Sequence, residues 1–286
     1  MEREEMKVIT VRNLKKTYRN GVEAVKGIDL DIEPHEVCAL LGPNGAGKTT
    51  TLKSILGFIN YEGEIKVFGK PIDEVRDRIS FVPAERSFYG YMTLSKAMKF
   101  CERFLPNFDS KKSLEMIKHF RLPMDKKIAG FSSGMKTGVY LSFTLAQEAD
   151  LYILDEPTWG LDPIMRDDVL EMIREKVIQG KSVLYTSHII SEVEKISDRI
   201  YIIDKGKIRY SGALDGLKEQ FRIFYLPIEA MKKLDNRDFS SLRKVPNRIV
   251  VLSKDPEEWE ELENLSEMEG TAPNLEEFFQ FLIRGE

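Results

Sequence analysis

The chain opens on alternation of apolar and polar positions. Val8, Thr10 and Leu14 lead to Tyr18, and Val22-Glu23-Ala24-Val25 followed by Ile28-Asp29-Leu30-Asp31-Ile32 keeps a period near two. Such alternation predicts half-buried strands forming an antiparallel edge. The texture then changes: Val37 to Leu41, Leu151 to Leu154 and Ser182 to Thr186 are short continuous apolar runs. Runs of this kind predict parallel strands covered by helices on both faces, and these are expected to lie side by side. Between the first two runs, about 87–149 has helical spacing at Thr93 to Phe104, Lys111 to Phe120 and Met135 to Gln147, and reads as a helical insertion. After Gly212 a short helical pattern ends near Gln220. Phe221 to Pro227 and Arg248 to Leu252 then predict strands, and Pro256 to Leu265 and Asn274 to Ile283 predict helices. The expected organisation is an α/β domain over 1–220 and a small α+β appendage over 221–286. The acidic run from Asp255 to Glu269 reads as a solvated helix face.

Charge and cysteine usage narrow the function classes. Lys and Arg number 43 against 47 Asp and Glu, a net charge of -4, so the surface is mixed in sign and nucleic acid is not an expected partner. Of the 2 cysteines, Cys38 lies inside an apolar run as a small buried thiol, and neither a disulfide scaffold nor a zinc spacing is present. His35 and His119 lack chemical context and read as surface residues. The opening Met1-Glu2-Arg3-Glu4-Glu5 is too acidic for a signal segment, and no apolar stretch approaches the roughly 20 residues needed to cross a bilayer. A soluble, cytoplasmic protein is expected.

The strongest chemical signal is Gly42-Pro43-Asn44-Gly45-Ala46-Gly47-Lys48-Thr49, a P-loop pattern placed between a strand-like and a helix-like run. Glycines let backbone N–H groups turn toward phosphate oxygens, and the following helix presents its positive end. Lys48 adds a point charge, and the Thr49 hydroxyl suits magnesium. The expected nucleotide-binding set is Gly42, Asn44, Gly45, Gly47, Lys48, Thr49 and Thr50. Gly45 and Gly47 are costly in a turn and helix unless backbone must approach a ligand closely.

A second signal is Leu151-Tyr152-Ile153-Leu154-Asp155-Glu156, an apolar strand that ends in acids, where ligands of open α/β sheets gather. Asp155 is expected to hold magnesium with Thr49, and Glu156 to orient or deprotonate water. Alone, such acids more often cap the turn before Pro157; beside a P-loop the chemical reading prevails.

The combination resembles the ATP-binding subunits of ABC transporters. Phe131-Ser132-Ser133-Gly134-Met135 is similar to their signature sequence, Trp159-Gly160-Leu161-Asp162 to the loop that crosses their dimer, His188 to their γ-phosphate-sensing histidine, and Tyr18 to the aromatic that stacks on adenine. Taken singly, His188 could be packed near a helix start and Tyr18 could be one more strand aromatic; order and spacing, from about Ile9 to about Gly212, carry the likeness. The resemblance implies a P-loop NTPase fold of ABC type, with a mixed sheet, an antiparallel β edge and a helical subdomain. It also implies ATP and Mg2+ as ligands, and ATP hydrolysis with Lys48, Glu156 and His188 in catalytic roles. Ser132, Gly134 and Asp162 are expected to close on nucleotide held by another subunit, in a homodimer or heterodimer. A transmembrane permease subunit is the implied partner, of the ABC-2 exporter type, which would hold the chain on the inner face of the cell membrane. The alternatives are a non-transport ABC-type ATPase, which usually carries a second ATPase domain or a long coiled coil, and a slowly hydrolysing nucleotide switch.

Of the departures from the family pattern only Ala84 favours the last of these, and Glu156 opposes it. After Ile79-Ser80-Phe81-Val82-Pro83 the family usually has glutamine, and here stands Ala84, followed by Glu85 and Arg86. A methyl cannot contact magnesium or water, so either Glu85 reaches into that place or the metal lacks the contact. Ser133, Met135 and Gly138 also replace the usual signature residues. The aromatic segment Phe88-Tyr89-Gly90-Tyr91-Met92 is expected either to dock the permease or to pack inside the insertion.

Overall fold

The computed structural model describes residues 6–87, 91–230, 241–245, 248–266 and 269–284. The chain divides into two compact units, Met1–Ser197 with Ile203–Ile208, and Asp198–Ile202 with Arg209–Glu286.

The strands of the first unit are β1 (Ile9–Thr17), β2 (Glu23–Ile32), β3 (Val37–Leu41), β4 (Glu62–Val67), β5 (Ile79–Val82), β6 (Leu151–Asp155) and β7 (Ser182–Ser187). Its helices are α1 (Lys48–Ile55), α2 (Leu94–Phe104), α3 (Ser110–His119), α4 (Ser133–Thr144), α5 (Pro163–Ile178) and α6 (Ile190–Ile196). The alternating stretch forms the antiparallel sheet β2-β1-β4. Ile9, Val11 and Leu14 of β1 are buried, and the phase slips where Arg12 and Asn13 are both exposed. Asn13 has φ 48 and the pairing with β2 shifts between Val11 and Leu14, so one bulge restores the inward face.

The continuous apolar runs became parallel strands in the order β5-β6-β7-β3. All residues of β3, β6 and β7 are buried, which is why their sequences do not alternate. The three runs do lie side by side, with β7 in the middle. This order brings the ends of β3, β6 and β7, at Leu41, Asp155 and Ser187, to one edge, where the P-loop, the acids and His188 follow. The insertion supplies α2, α3 and α4; Asp109 caps α3 by accepting from the amides of Lys111 and Lys112. Sequence patterning missed β4, whose buried positions are only Ile65 and Val67.

β8 (Arg199–Asp204) and β9 (Lys207–Ala213) each give residues to both units. The second unit continues with α7 (Leu214–Gln220), β10 (Arg222–Pro227), β11 (Ser241–Val245), β12 (Arg248–Ser253), α8 (Pro256–Leu265) and α9 (Leu275–Arg284). Its antiparallel sheet runs β10-β12-β11 over a core of Phe224, Leu226, Ile249, Val251 and Leu262. Leu262 is the buried residue of α8, and Trp259 and Leu265 pack beside it on that core, so the helical part of the acidic run turns its apolar side inward and most of its acids to solvent.

Candidate active site

The loop after β3 is shaped by what glycine leaves out. A Cβ on Gly42 would collide with the Ile203 carbonyl oxygen, and one on Gly47, at φ 115, would lie 2.6 Å from the Ala24 carbonyl oxygen. Gly47 thus needs glycine on account of the backbone of β2, a reason the sequence did not offer, and it also lies on the wall of the loop's cavity. Gly45 differs: at φ 80 it needs glycine for its conformation alone, and the space beside it is open. The loop and the first turn of α1 wall a cavity of about 270 Å³ that takes in Asn44, Gly45, Thr49, Thr50, Ala84 and Glu156. Lys48 is buried, and its Nζ donates to the carbonyl oxygens of Gly42 at 2.7 Å and Pro43 at 3.3 Å. Tyr18 is 37% exposed, and its hydroxyl lies 3.2 Å from Thr50 Oγ1, which presents the ring beside the loop.

The acids at the end of β6 divide by environment. Asp155 is buried; its Oδ1 accepts from Thr186 Oγ1 at 2.6 Å, and its Oδ2 has no hydrogen-bond partner among the described residues. A buried carboxylate oxygen left so suits a bound cation, and the Thr49 hydroxyl is the hard oxygen the P-loop adds, so these residues fit magnesium. Glu156 has turned into the left-handed region at φ 51. Its Oε1 lies 3.3 Å from Lys48 Nζ and its Oε2 2.8 Å from His188 Nδ1. The structure thus gathers Tyr18, the P-loop residues, Glu156 and His188 at one place, and sets Glu156 between a lysine and a histidine.

Ser132, Gly134 and Asp162 are not brought into that cavity. Ser132 Oγ accepts from Met135 N at 3.2 Å and Asp162 Oδ1 from Met165 N at 3.1 Å, so each caps a helix, α4 and α5 respectively. A Cβ on Gly134 would run into the Gly160 carbonyl oxygen, and Thr137 Oγ1 donates to the Trp159 carbonyl oxygen at 2.6 Å. Ser133, Gly160 and His188 share a second cavity of about 270 Å³ that Glu156 also walls.

Residues 25–159 match the family model described as ABC transporter. The uncharacterised ABC transporter ATP-binding protein YxlF of Bacillus subtilis is 34% identical over 236 residues, covering 80% of this chain and 78% of the relative. The linearmycin resistance ATP-binding protein LnrL of the same organism is 36% identical over 211 residues, 70% of this chain and 68% of its own. The chain belongs to the ABC transporter ATP-binding family. The ATP-binding subunit of an ABC transporter, a solved structure, superposes with a TM-score of 0.67 at 27% identity, covering 74% of this chain and 92% of that one. A dimeric ATP-binding cassette solved with ADP and phosphate shares the fold at TM-score 0.63 and 24% identity. Among the described residues no helix is long and apolar enough to cross a membrane.

In this ABC protein the loop after β5 holds what sequence reasoning missed. Ala84 lies on the wall of the P-loop cavity, and Glu85, one of the two alternatives for the missing contact, is exposed and not among the residues of that wall. Arg86 turns inward instead, and its Nη2 donates to the carbonyl oxygens of Glu156 at 2.5 Å and Asp155 at 3.3 Å. Burial lowers the guanidinium's affinity for its proton, opposed by the charges of Asp155 and Glu156. No sequence signal marks Arg86 beyond its place after Ala84. Glu192 was also missed: it is buried on α6, its Oε2 accepts from Thr158 and Ser187, and burial holds its carboxyl above the usual range. Of the aromatic segment, Phe88, Tyr89 and Gly90 lie outside the described residues, and Tyr91 is exposed. His35 and His119 are exposed, tied to the Gly180 carbonyl oxygen and to Asp168. Cys38 is buried, as expected.

Proposed function

We propose that this ABC ATP-binding subunit hydrolyses ATP and drives a membrane exporter of the ABC-2 type through ATP-dependent closure of two ATP-binding subunits. The carrying observation is Glu156, held between Lys48 Nζ and His188 Nδ1 and following Asp155, whose Oδ2 has no hydrogen-bond partner among the described residues. Backbone amides of Gly45 to Thr49 and the Lys48 ammonium bind the phosphates, and Tyr18 stacks on the base. Glu156 takes the proton of the attacking water, and His188 orients its carboxylate. Mg2+, held by Thr49 and Asp155, would neutralise charge on the phosphates when bound. Ser132, Gly134 and Asp162, which do not line the P-loop cavity, serve the nucleotide of the other subunit, in a homodimer or heterodimer. Loss of the γ-phosphate removes what holds the faces together.

Export is supported by the family resemblance and by LnrL, a relative named for resistance. On this reading the chain sits on the inner face of the cell membrane, docked on a permease that includes Tyr91 in its footprint. The methyl of Ala84 on the cavity wall favours a slow cycle within this scheme.

Glu156→Gln tests the reading. Removing the general base is expected to lower turnover about 10²- to 10⁴-fold while ATP still binds, and gel filtration with magnesium ATP is expected to show a stable dimer. Turnover equal to the parent contradicts the role of Glu156; a monomer at every ATP concentration contradicts closure.

A further inference from the structure

We propose that Arg86 is a positioning residue for hydrolysis, fixing the backbone of Glu156 by donating to the carbonyl oxygens of Asp155 and Glu156. This rests on the reading of Glu156 as the base. Glu156 occupies φ 51, a conformation that side-chain-bearing residues rarely adopt and that must be held from outside. Three bonds hold it: Glu156 N donates to Thr186 Oγ1 at 3.1 Å, Trp159 N donates to Glu156 O at 3.1 Å, and Arg86 Nη2 donates to the same oxygen at 2.5 Å. Only the last is charge-assisted, and it is the shortest.

The choice of acceptor matters. Among the described residues Arg86 forms no ion pair, although Asp155 and Glu156 are near enough for their charges to act on it. A guanidinium paired with either carboxylate would compete with water and metal for it. Bonded to carbonyl oxygens, it grips the strand end and leaves both carboxylates to chemistry. Its Nε is buried without a partner among the described residues, so its burial is not explained by a saturated set of bonds. The loop that carries it is anchored in turn. Arg86 Nη1 donates to Ala84 O at 3.3 Å, and the Tyr140 hydroxyl of α4 donates to Ser87 O at 3.0 Å. The helix that begins at the signature residues is thereby linked through Ser87 and Arg86 to the backbone of the base.

The test measures turnover and ATP affinity separately in the full chain for the parent, Arg86→Ala, Arg86→Lys and Glu156→Gln. Arg86→Ala is expected to lose about 10- to 100-fold in kcat, the scale of one charge-assisted bond, with the ATP Kd within about twofold of the parent. Millimolar guanidinium chloride is expected to restore part of that rate in Arg86→Ala and none in Glu156→Gln. Arg86→Lys, which keeps a cation but not the reach, is expected to fall between, and serves alone if Arg86→Ala does not fold. Parent kcat in either Arg86 variant, or a joint loss of affinity and rate that guanidinium does not rescue, overturns the proposal. If Glu156→Gln turns over like the parent, the assignment of the base has failed; if it is inactive while Arg86→Ala is normal, only the role of Arg86 has.

Discussion

Thr186→Val isolates the support beneath the acids. Thr186 is fully buried on β7; its hydroxyl donates to Asp155 Oδ1 at 2.6 Å and receives Glu156 N at 3.1 Å. Valine keeps the branched shape and removes the hydroxyl, so Asp155 loses the partner of Oδ1 beside an Oδ2 that has none among the described residues, and Glu156 N is left unpaired. Each buried group so stranded costs about 1–3 kcal/mol, more for a charged one, which gives about 2–5 kcal/mol in all. For a domain of this size that is roughly 4–20 °C in Tm. The assay is calorimetry of Thr186→Val beside Thr186→Ser, which keeps the hydroxyl and gives up a methyl worth about 0.5–1.5 kcal/mol. The serine variant is expected to be the more stable, and to keep more turnover because Glu156 N stays paired. A valine variant as stable as the serine one refutes the reasoning, since the hydroxyl would then contribute nothing.

Glu192 makes stability depend on pH. Burial raises its carboxyl in the folded chain, with the Thr158 and Ser187 hydrogen bonds opposing, so folding favours the protonated form. That contribution is whole below the ordinary carboxylate range and is lost as pH rises through the raised folded value. Glu192→Gln, neutral throughout, is expected to flatten the slope of Tm against pH in that window and to exceed the parent at pH 8; an unchanged slope refutes it. Gly134→Ala sets a methyl against the Gly160 carbonyl oxygen, a backbone atom that can yield only if the loop moves. A loss of about 1–3 kcal/mol in calorimetry is expected, with turnover reduced and fluorescent-nucleotide binding to the P-loop retained; parent stability and rate would show that the signature helix and the loop are not packed as described.

Legibility followed sequence distance. Gly42 to Thr49 is one contiguous segment, and a phosphate cradle of consecutive amides can be read as such. The buried strands β3, β6 and β7 were legible because full burial needs uninterrupted apolar runs; β4 was not, since two buried positions in six give no usable period. The order β6-β7-β3 could be anticipated only as adjacency, because which run takes the centre depends on chain crossings rather than on local pattern.

The sequence by itself determined the phosphate loop, the paired acids and their place at strand ends, because local backbone conformation and burial dictate those residues. Only the tertiary structure decided that the Ala24 carbonyl leaves no room for a side chain at Gly47, that Ser132 and Asp162 cap helices, and that Glu156 lies between Lys48 and His188. It alone revealed Arg86, which reaches Glu156 across 70 positions of sequence. A hydrogen bond needs its atoms within about 3 Å and the right angle, and no spacing along a chain encodes that until the strands and loops have been brought together.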